Sequence, residues 1–151
     1  MSPWLGNPAF VAYAITCLVL SANLLFLWAY SGSKRANGKV AINEEDSARF
    51  GAPLEHLDPP AVARVLRAHA NAQATSVPFL FLGLVFVLAG GSATVASILF
   101  GTFTASRLLH AYAYLAGKQP WRTIFFIASG LCILALMAAI VARLIAGATG
   151  P

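Results

Sequence analysis

The run from Pro8 to Tyr30, "PAFVAYAITCLVLSANLLFLWAY", carries no charged side chain over 23 positions. As a helix it would be about 34 Å long, enough to cross a hydrocarbon core of about 30 Å. Trp28 and Tyr30 close it with rings suited to the membrane interface. In lipid every backbone N–H and C=O must be satisfied within the segment, so a spanning run of this kind has to be helical. Composition extends the argument to the rest of the chain. Only 10% of residues are charged, against about 25% in a soluble domain, and the mean hydropathy is +0.75. These values place the chain among multi-pass integral membrane proteins.

The polar punctuation then divides it. "SGSKRANGKVAINEEDSARFGAPLEHLDPP", residues 31 to 60, is rich in Gly, Pro, Asn and charge and reads as a loop outside hydrocarbon. Its length suggests a functional loop. Asp58-Pro59-Pro60 is a helix start. From there the pattern is polar for three turns and then apolar ("VPFLFLGLVFVLA"), with a kink expected at Pro78. Gly90-Gly91 breaks the pattern, "GKQP" makes a tight turn, and "GATGP" at 147 to 151 is expected to fray. The expectation is one all-α domain over 1–151, a membrane four-helix bundle. Its helices fall at 8–33, 60–89, 93–116 and 121–147, with a loop at 34–59. Eight of the ten bases lie in the long loop, the start of the second helix and the 117–122 turn. The positive-inside rule puts that side in the cytoplasm and both termini on the opposite side.

Charge also excludes functions. The net charge of +5 hides five acids, all between Glu44 and Asp58, facing six bases between Lys34 and Arg67. That is one polar loop in an apolar chain, and no basic run alternates with aromatics as a nucleic-acid groove would require. Cys17 and Cys132 lie in apolar runs and read as buried, small hydrophobes. Three histidines without ligand spacing do not make a metal site. No inverted repeats or paired broken helices suggest a transporter.

One feature resists the bland reading. Arg107 is the only formal charge between Arg67 and Lys118. It shares a helix face with His110 and Tyr114, as Arg67 does with Arg64 and Asn71. Arg122 and Thr123 open the last span at similar depth. An unpaired arginine in hydrocarbon costs a few kcal/mol on insertion scales, so such residues are functional-site candidates. The spans offer Arg107 no acid, which leaves loop acids, a neighbouring subunit or a ligand as its counter-charge. Snorkelling to the interface and bonding to helix carbonyls are the structural alternatives. His69 points off the Arg67/Asn71 face and reads as structural, His56 as solvated, and Tyr112 as packing or interfacial. Phe79, Phe81, Phe86, Phe125 and Phe126 read as lipid-facing or helix-packing.

Three stretches carry a resemblance. "RVLRAHANAQATSVPFLFLG" (64–83), "ASRLLHAYAYLAGKQPWRT" (105–123) and "NEEDSARFGAP" (43–53) closely resemble, in order, the second helix, the third helix with its following turn, and the first loop of the MAPEG family of membrane glutathione enzymes. The branch they resemble most holds microsomal prostaglandin E synthase and the microsomal glutathione transferase. The resemblance implies a homotrimer that binds glutathione between neighbouring subunits on the cytoplasmic side and acts on a lipophilic substrate arriving from membrane lipid. Carried over by position, Arg35, Arg67, Asn71, His110, Tyr114, Arg122 and Thr123 match residues that hold glutathione, and Arg107 joins them from its own place in the span. Arg122 matches the arginine near the sulfur. Asp46 matches a loop acid proposed to act in isomerisation, and Thr123 stands where that branch has a serine. The implied activity is that of a transferase, peroxidase or isomerase working through an activated thiolate, with Arg122, Thr123 and Asp46 catalytic. The chain departs from the family pattern at Ala74, where a glutamate is usual, at Ala70, where the prostaglandin branch has an arginine, and in a 114-to-122 segment one residue shorter. The alternative expectation is a non-catalytic or lipid-binding membrane subunit that has lost glutathione.

Overall fold

The computed structural model describes residues 4–148. Its helices are α1 (Pro8–Gly38), α2 (Glu44–Phe50), α3 (Pro60–Leu88), α4 (Ala93–Leu115) and α5 (Trp121–Ala148). The chain is all-α, with four long helices and one short one. The tail expected to fray from Gly147 is helical to Ala148, and positions 149–151 lie outside the described residues.

α1 starts where Asn7 Oδ1 accepts from the Ala9 and Phe10 amides, with Pro8 in the first turn. This cap satisfies N–H groups that have no intrahelical partner. The helix does not stop at 33 as expected. It runs on to Gly38 and ends at Lys39, whose backbone is left-handed (φ 49°). The polar side chains after Tyr30 sit beyond the apolar run and find local partners. Ser31 Oγ donates to the Trp28 carbonyl at 2.7 Å, and Lys34 Nζ sits 5.1 Å from the Tyr30 ring centroid.

The segment expected as a plain loop contains α2. Glu44, Glu45 and Asp46 fill its first turn, where their charge suits the helix dipole, and Gly51 ends it at φ 62°. Ser47 Oγ donates to the Ala52 carbonyl at 2.7 Å. The Ala41 amide donates to the Pro53 carbonyl at 3.0 Å, and the Glu55 amide donates to the Ala41 carbonyl at 2.8 Å. The connection is thus a closed, hydrogen-bonded unit. The Arg35 guanidinium fastens its far end to Asp58.

α3 runs through Pro78 and ends at a glycine turn. There the Gly91 amide bonds the Phe86 carbonyl and Gly90 takes φ 71°. α4 ends similarly, with Gly117 at φ 67° and the Lys118 amide on the Ala113 carbonyl. Both follow the left-handed C-terminal motif that glycine favours.

α4 packs against α1, α3 and α5, and α3 also meets α1 and α5. The apolar core lies between them. Phe79 and Phe103 stack with centroids 3.6 Å apart, and Phe100 meets the Phe79 edge at 5.7 Å. Gly83 allows this closeness, because a Cβ there would lie 3.2 Å from both Phe100 and Tyr13. Large apolar side chains also face outward, such as Leu18 (72% exposed) and Phe81 (70%). Among the described residues α1, α3 and α5 are long and apolar enough to cross a membrane. The expected third span, α4, is not in that set. It carries Arg107, His110, Tyr112 and Tyr114, which lower its hydropathy, and like α3 it packs against the other three long helices. Cys132 is buried, whereas Cys17 is only half-buried, and both are free thiols.

Candidate functional site

α3 and α4 run antiparallel in a register fixed by two cross-bonds. Arg64 Nη1 donates to the Tyr114 carbonyl at 3.4 Å, and Arg107 Nη2 donates to Asn71 Oδ1 at 2.8 Å. Arg67 therefore lies level with His110 and Ala111. Small residues make the approach possible, since Ala68 and Ala72 of α3 pack with Ala111 of α4 and Leu27 of α1. Arg64 also places its cation over the carbonyl end of α4, where the helix dipole favours it.

Arg107 is completely buried. It meets no carboxylate. Nη2 bonds Asn71, Nη1 donates to Ser129 Oγ at 3.4 Å, and Nε has no partner among the described residues. Ser129 Oγ in turn donates to the Phe126 carbonyl at 2.8 Å. One guanidinium thus ties α3, α4 and α5 together through neutral groups. The snorkelling alternative fails, because the side chain stays inside. Within this chain Arg107, expected among the residues that hold the ligand, has no exposed surface. The cause is geometric: Arg107 sits on the face of α4 that meets α3 and α5.

His110 is buried beside it, with Nδ1 unpartnered among the described residues. Its ring lies 5.7 Å from Tyr114 and 6.1 Å from Phe126. Tyr114 is half-buried, and the Arg122 guanidinium carbon lies 4.9 Å from its ring centroid. With the Gln119 amide turned so that its oxygen faces Arg122, it accepts from Arg122 Nη2 at 2.8 Å and Nε at 3.1 Å, while its nitrogen donates to Thr123 Oγ1 at 3.1 Å. Gln119 therefore orients both residues that open α5.

The structure brings Arg67, Asn71, Arg107, His110, Tyr114, Arg122 and Thr123 to one end of the α3–α4–α5 bundle. Arg67 and Thr123 are exposed, while Asn71 and Arg122 are half-buried. Arg35 and Asp46 are not in this group. They line a separate cavity of about 660 Å³ between the end of α1 and α2, together with Lys39 and Phe50. Arg35 is also neutralised by Asp58, with Oδ1 2.8 Å from Nη2. Among the described residues it is the one candidate arginine that pairs with an acid of its own chain. Sequence reasoning missed Ser129 and Gln119. Ser129 stands seven residues after Arg122, two turns along one face, and Gln119 three residues before it. Both spacings were available as signals. The described residues hold no cluster of His, Cys, Asp or Glu able to bind a metal.

The class is thus an all-helical membrane bundle in which guanidinium groups from three helices, Arg67, Arg107 and Arg122, gather at one end with no carboxylate partner among the described residues. The chain belongs to the MAPEG family, whose model matches residues 13–142. It is 33% identical to prostaglandin E synthase of Macaca fascicularis over 81% of each chain. It is also 33% identical to microsomal glutathione S-transferase 1 of Rattus norvegicus, over 85% of this chain and 87% of that one. With prostaglandin E synthase of Equus caballus it shares 36% identity over 75% of this chain and 78% of the other.

Proposed function

We propose that the protein is a membrane-bound, glutathione-dependent enzyme that directs a thiolate at lipophilic electrophiles or peroxides. The observation that carries this reading is the acid-free cluster. Arg67 and Arg122 have no carboxylate partner among the described residues, and the Asn71 amide nitrogen, one turn from Arg67 on α3, has no partner there either. A ligand with two carboxylates and a thiol suits such a donor set, since guanidinium forks match carboxylates.

Glutathione supplies the thiol nucleophile when bound. Arg67 and the Asn71 amide hold a carboxylate of it. Arg122, steadied by Gln119 and by the Tyr114 face, places its cation where the sulfur charge develops, and the Thr123 hydroxyl donates to the same charge. A thiol near pKa 8.5 is about 3% ionised at pH 7, and a cation that lowers it by one unit raises this to about a quarter. The outward apolar faces give a lipid-soluble substrate direct access from the bilayer.

Arg35 and Asp46 enter this scheme from a neighbouring subunit. Their separate cavity on one chain supports a site completed in a homotrimer, on the cytoplasmic side with both termini opposite. The names of the relatives support the same chemistry. The rival reading, a subunit without glutathione, draws on Ala74, an exposed apolar residue where the family pattern has a carboxylate. Isothermal titration with glutathione in detergent, followed by a thiol-transfer assay on a chloronitrobenzene and on a lipid hydroperoxide, separates the two. No binding at millimolar ligand would rule out the enzyme.

A further inference from the structure

The bonds around Arg107 all run in one direction. The Ser129 hydroxyl proton is committed to the Phe126 carbonyl, so its oxygen can only accept from Arg107 Nη1. Arginine has donors and no acceptor. The Asn71 oxygen must therefore face Arg107, which it does at 2.8 Å. Turning that amide over would set an NH₂ against a buried guanidinium and leave a cation with one fewer acceptor in an apolar bundle. The Asn71 nitrogen has no partner among the described residues, and Asn71 is half-exposed, one turn from Arg67 on the same face of α3.

We infer that Arg107 is a positioning residue: it fixes the sense of the Asn71 amide so that the half-exposed side of Asn71, one turn from Arg67, presents two N–H donors and no acceptor, and a ligand bound there is selected as a carboxylate over the corresponding carboxamide. Arg107 acts without touching the ligand. Its burial and lack of a carboxylate partner, otherwise a cost, supply a permanent orienting charge. A carboxamide presents an NH₂ as well as an oxygen, so it satisfies a donor-only wall less completely. This inference rests on the glutathione reading and names the group that Asn71 recognises.

The test uses the full-length protein in detergent. Glutathione and its two monocarboxamide analogues, one amidated at the glycine carboxyl and the other at the glutamyl α-carboxyl, are titrated into each variant. Wild type should bind one analogue roughly tenfold more weakly than glutathione. In Arg107→Met the amide is free to turn, and the discrimination should shrink to about twofold. Arg107→Lys keeps a donor toward the Asn71 oxygen and should restore it. Arg107→Met also replaces an uncompensated buried charge with an apolar chain of similar length, a change often tolerated, and thermal melts confirm folding. Asn71→Asp gives an independent readout. It stays paired with Arg107 but turns an acceptor to the cleft, so the preference should reverse toward the carboxamide. If wild type discriminates and either Arg107→Met or Asn71→Asp leaves the preference as it was, the inference is wrong and the glutathione reading stands. If wild type gives no heat with glutathione at all, both fall.

Discussion

Arg122 sits over the face of Tyr114, its guanidinium carbon 4.9 Å from the ring centroid. The ring face holds the cation in place without neutralising it. If Arg122 stabilises a bound thiolate, its loss raises the thiol pKa and lowers the ionised fraction at neutral pH. Arg122→Ala is therefore expected to reduce kcat about tenfold at pH 7 and to move the rising limb of the pH–rate profile about one unit alkaline. A profile taken from pH 6 to 9.5 checks this. An unmoved limb would assign Arg122 to binding alone.

Arg35 and Asp58 close the connection between α1 and α3 through bonds of 2.8 and 3.2 Å to a single oxygen. Both side chains are partly exposed, 37% and 22%. Partly exposed pairs contribute little to global stability, on the order of 0–1 kcal/mol. Asp58→Asn should leave the melting temperature nearly unchanged. It should speed tryptic cleavage at Lys39 and Arg49 several-fold, because local opening of this segment becomes easier. Equal cleavage rates in the two proteins would show that the α2 hydrogen bonds alone hold the segment closed.

The helix architecture is written plainly in the chain, and the exceptions have physical causes. The long uncharged run, the glycines at 90 and 117 and the Pro-Pro start at 59–60 each mark a helix or its end by local chemistry. α2 is hidden because charge and glycine density are also the signals of a loop. Yet Asn43, three acids and Gly51 form a start, a dipole-matched first turn and a stop. The extension of α1 past Ser33 was missed because a helix leaving hydrocarbon needs no apolar residues to continue, only local partners such as the Trp28 carbonyl for Ser31. For the site, spacing alone grouped Arg107, His110 and Tyr114 on one face. It could not show that this face points into the bundle, because burial depends on which neighbours cover it. The spacings of Ser129 and Gln119 from Arg122 are legible, but that Ser129 meets Arg107 depends on how α4 packs against α5.

Gly83 is a point of close approach between α3, α1 and α4. A Cβ at that position would meet Phe100 Cε1 and Tyr13 Cδ2 at 3.2 Å. Both rings belong to the packed aromatic core, and neither is a flexible chain end. Gly83→Val should overpack this junction and cost roughly 1–3 kcal/mol. Phe103→Ala, which removes one face of the Phe79 stack, should cost about 3–5 kcal/mol. Thermal melts followed by circular dichroism in one detergent would rank them, with Phe103→Ala the less stable. The reverse order would mean that the aromatic layer relaxes around a void but not around an added isopropyl group.

Ala74 sits one turn beyond Asn71 on α3, exposed at the surface, where the family pattern has a glutamate. Any carboxylate placed there joins a helix face on which Arg67 and the Asn71 NH₂ both donate. Two outcomes compete. The new acid could pair with the ammonium of glutathione and tighten binding, or it could neutralise Arg67 from the neighbouring turn and weaken it. Arg67 and Ala74 are seven residues apart, two turns along one face, a distance of about 10 Å that a solvated side-chain pair spans poorly. The first outcome should therefore prevail. Ala74→Glu is expected to lower the glutathione Kd about fivefold, as one charge-assisted bond in a half-exposed site would. It should leave binding of a des-amino analogue, which lacks the ammonium, unchanged or slightly weaker. Parallel titrations of both ligands into both proteins check this. Equal tightening for the two ligands would show that the glutamate acts by reshaping the helix face and not by meeting the amine.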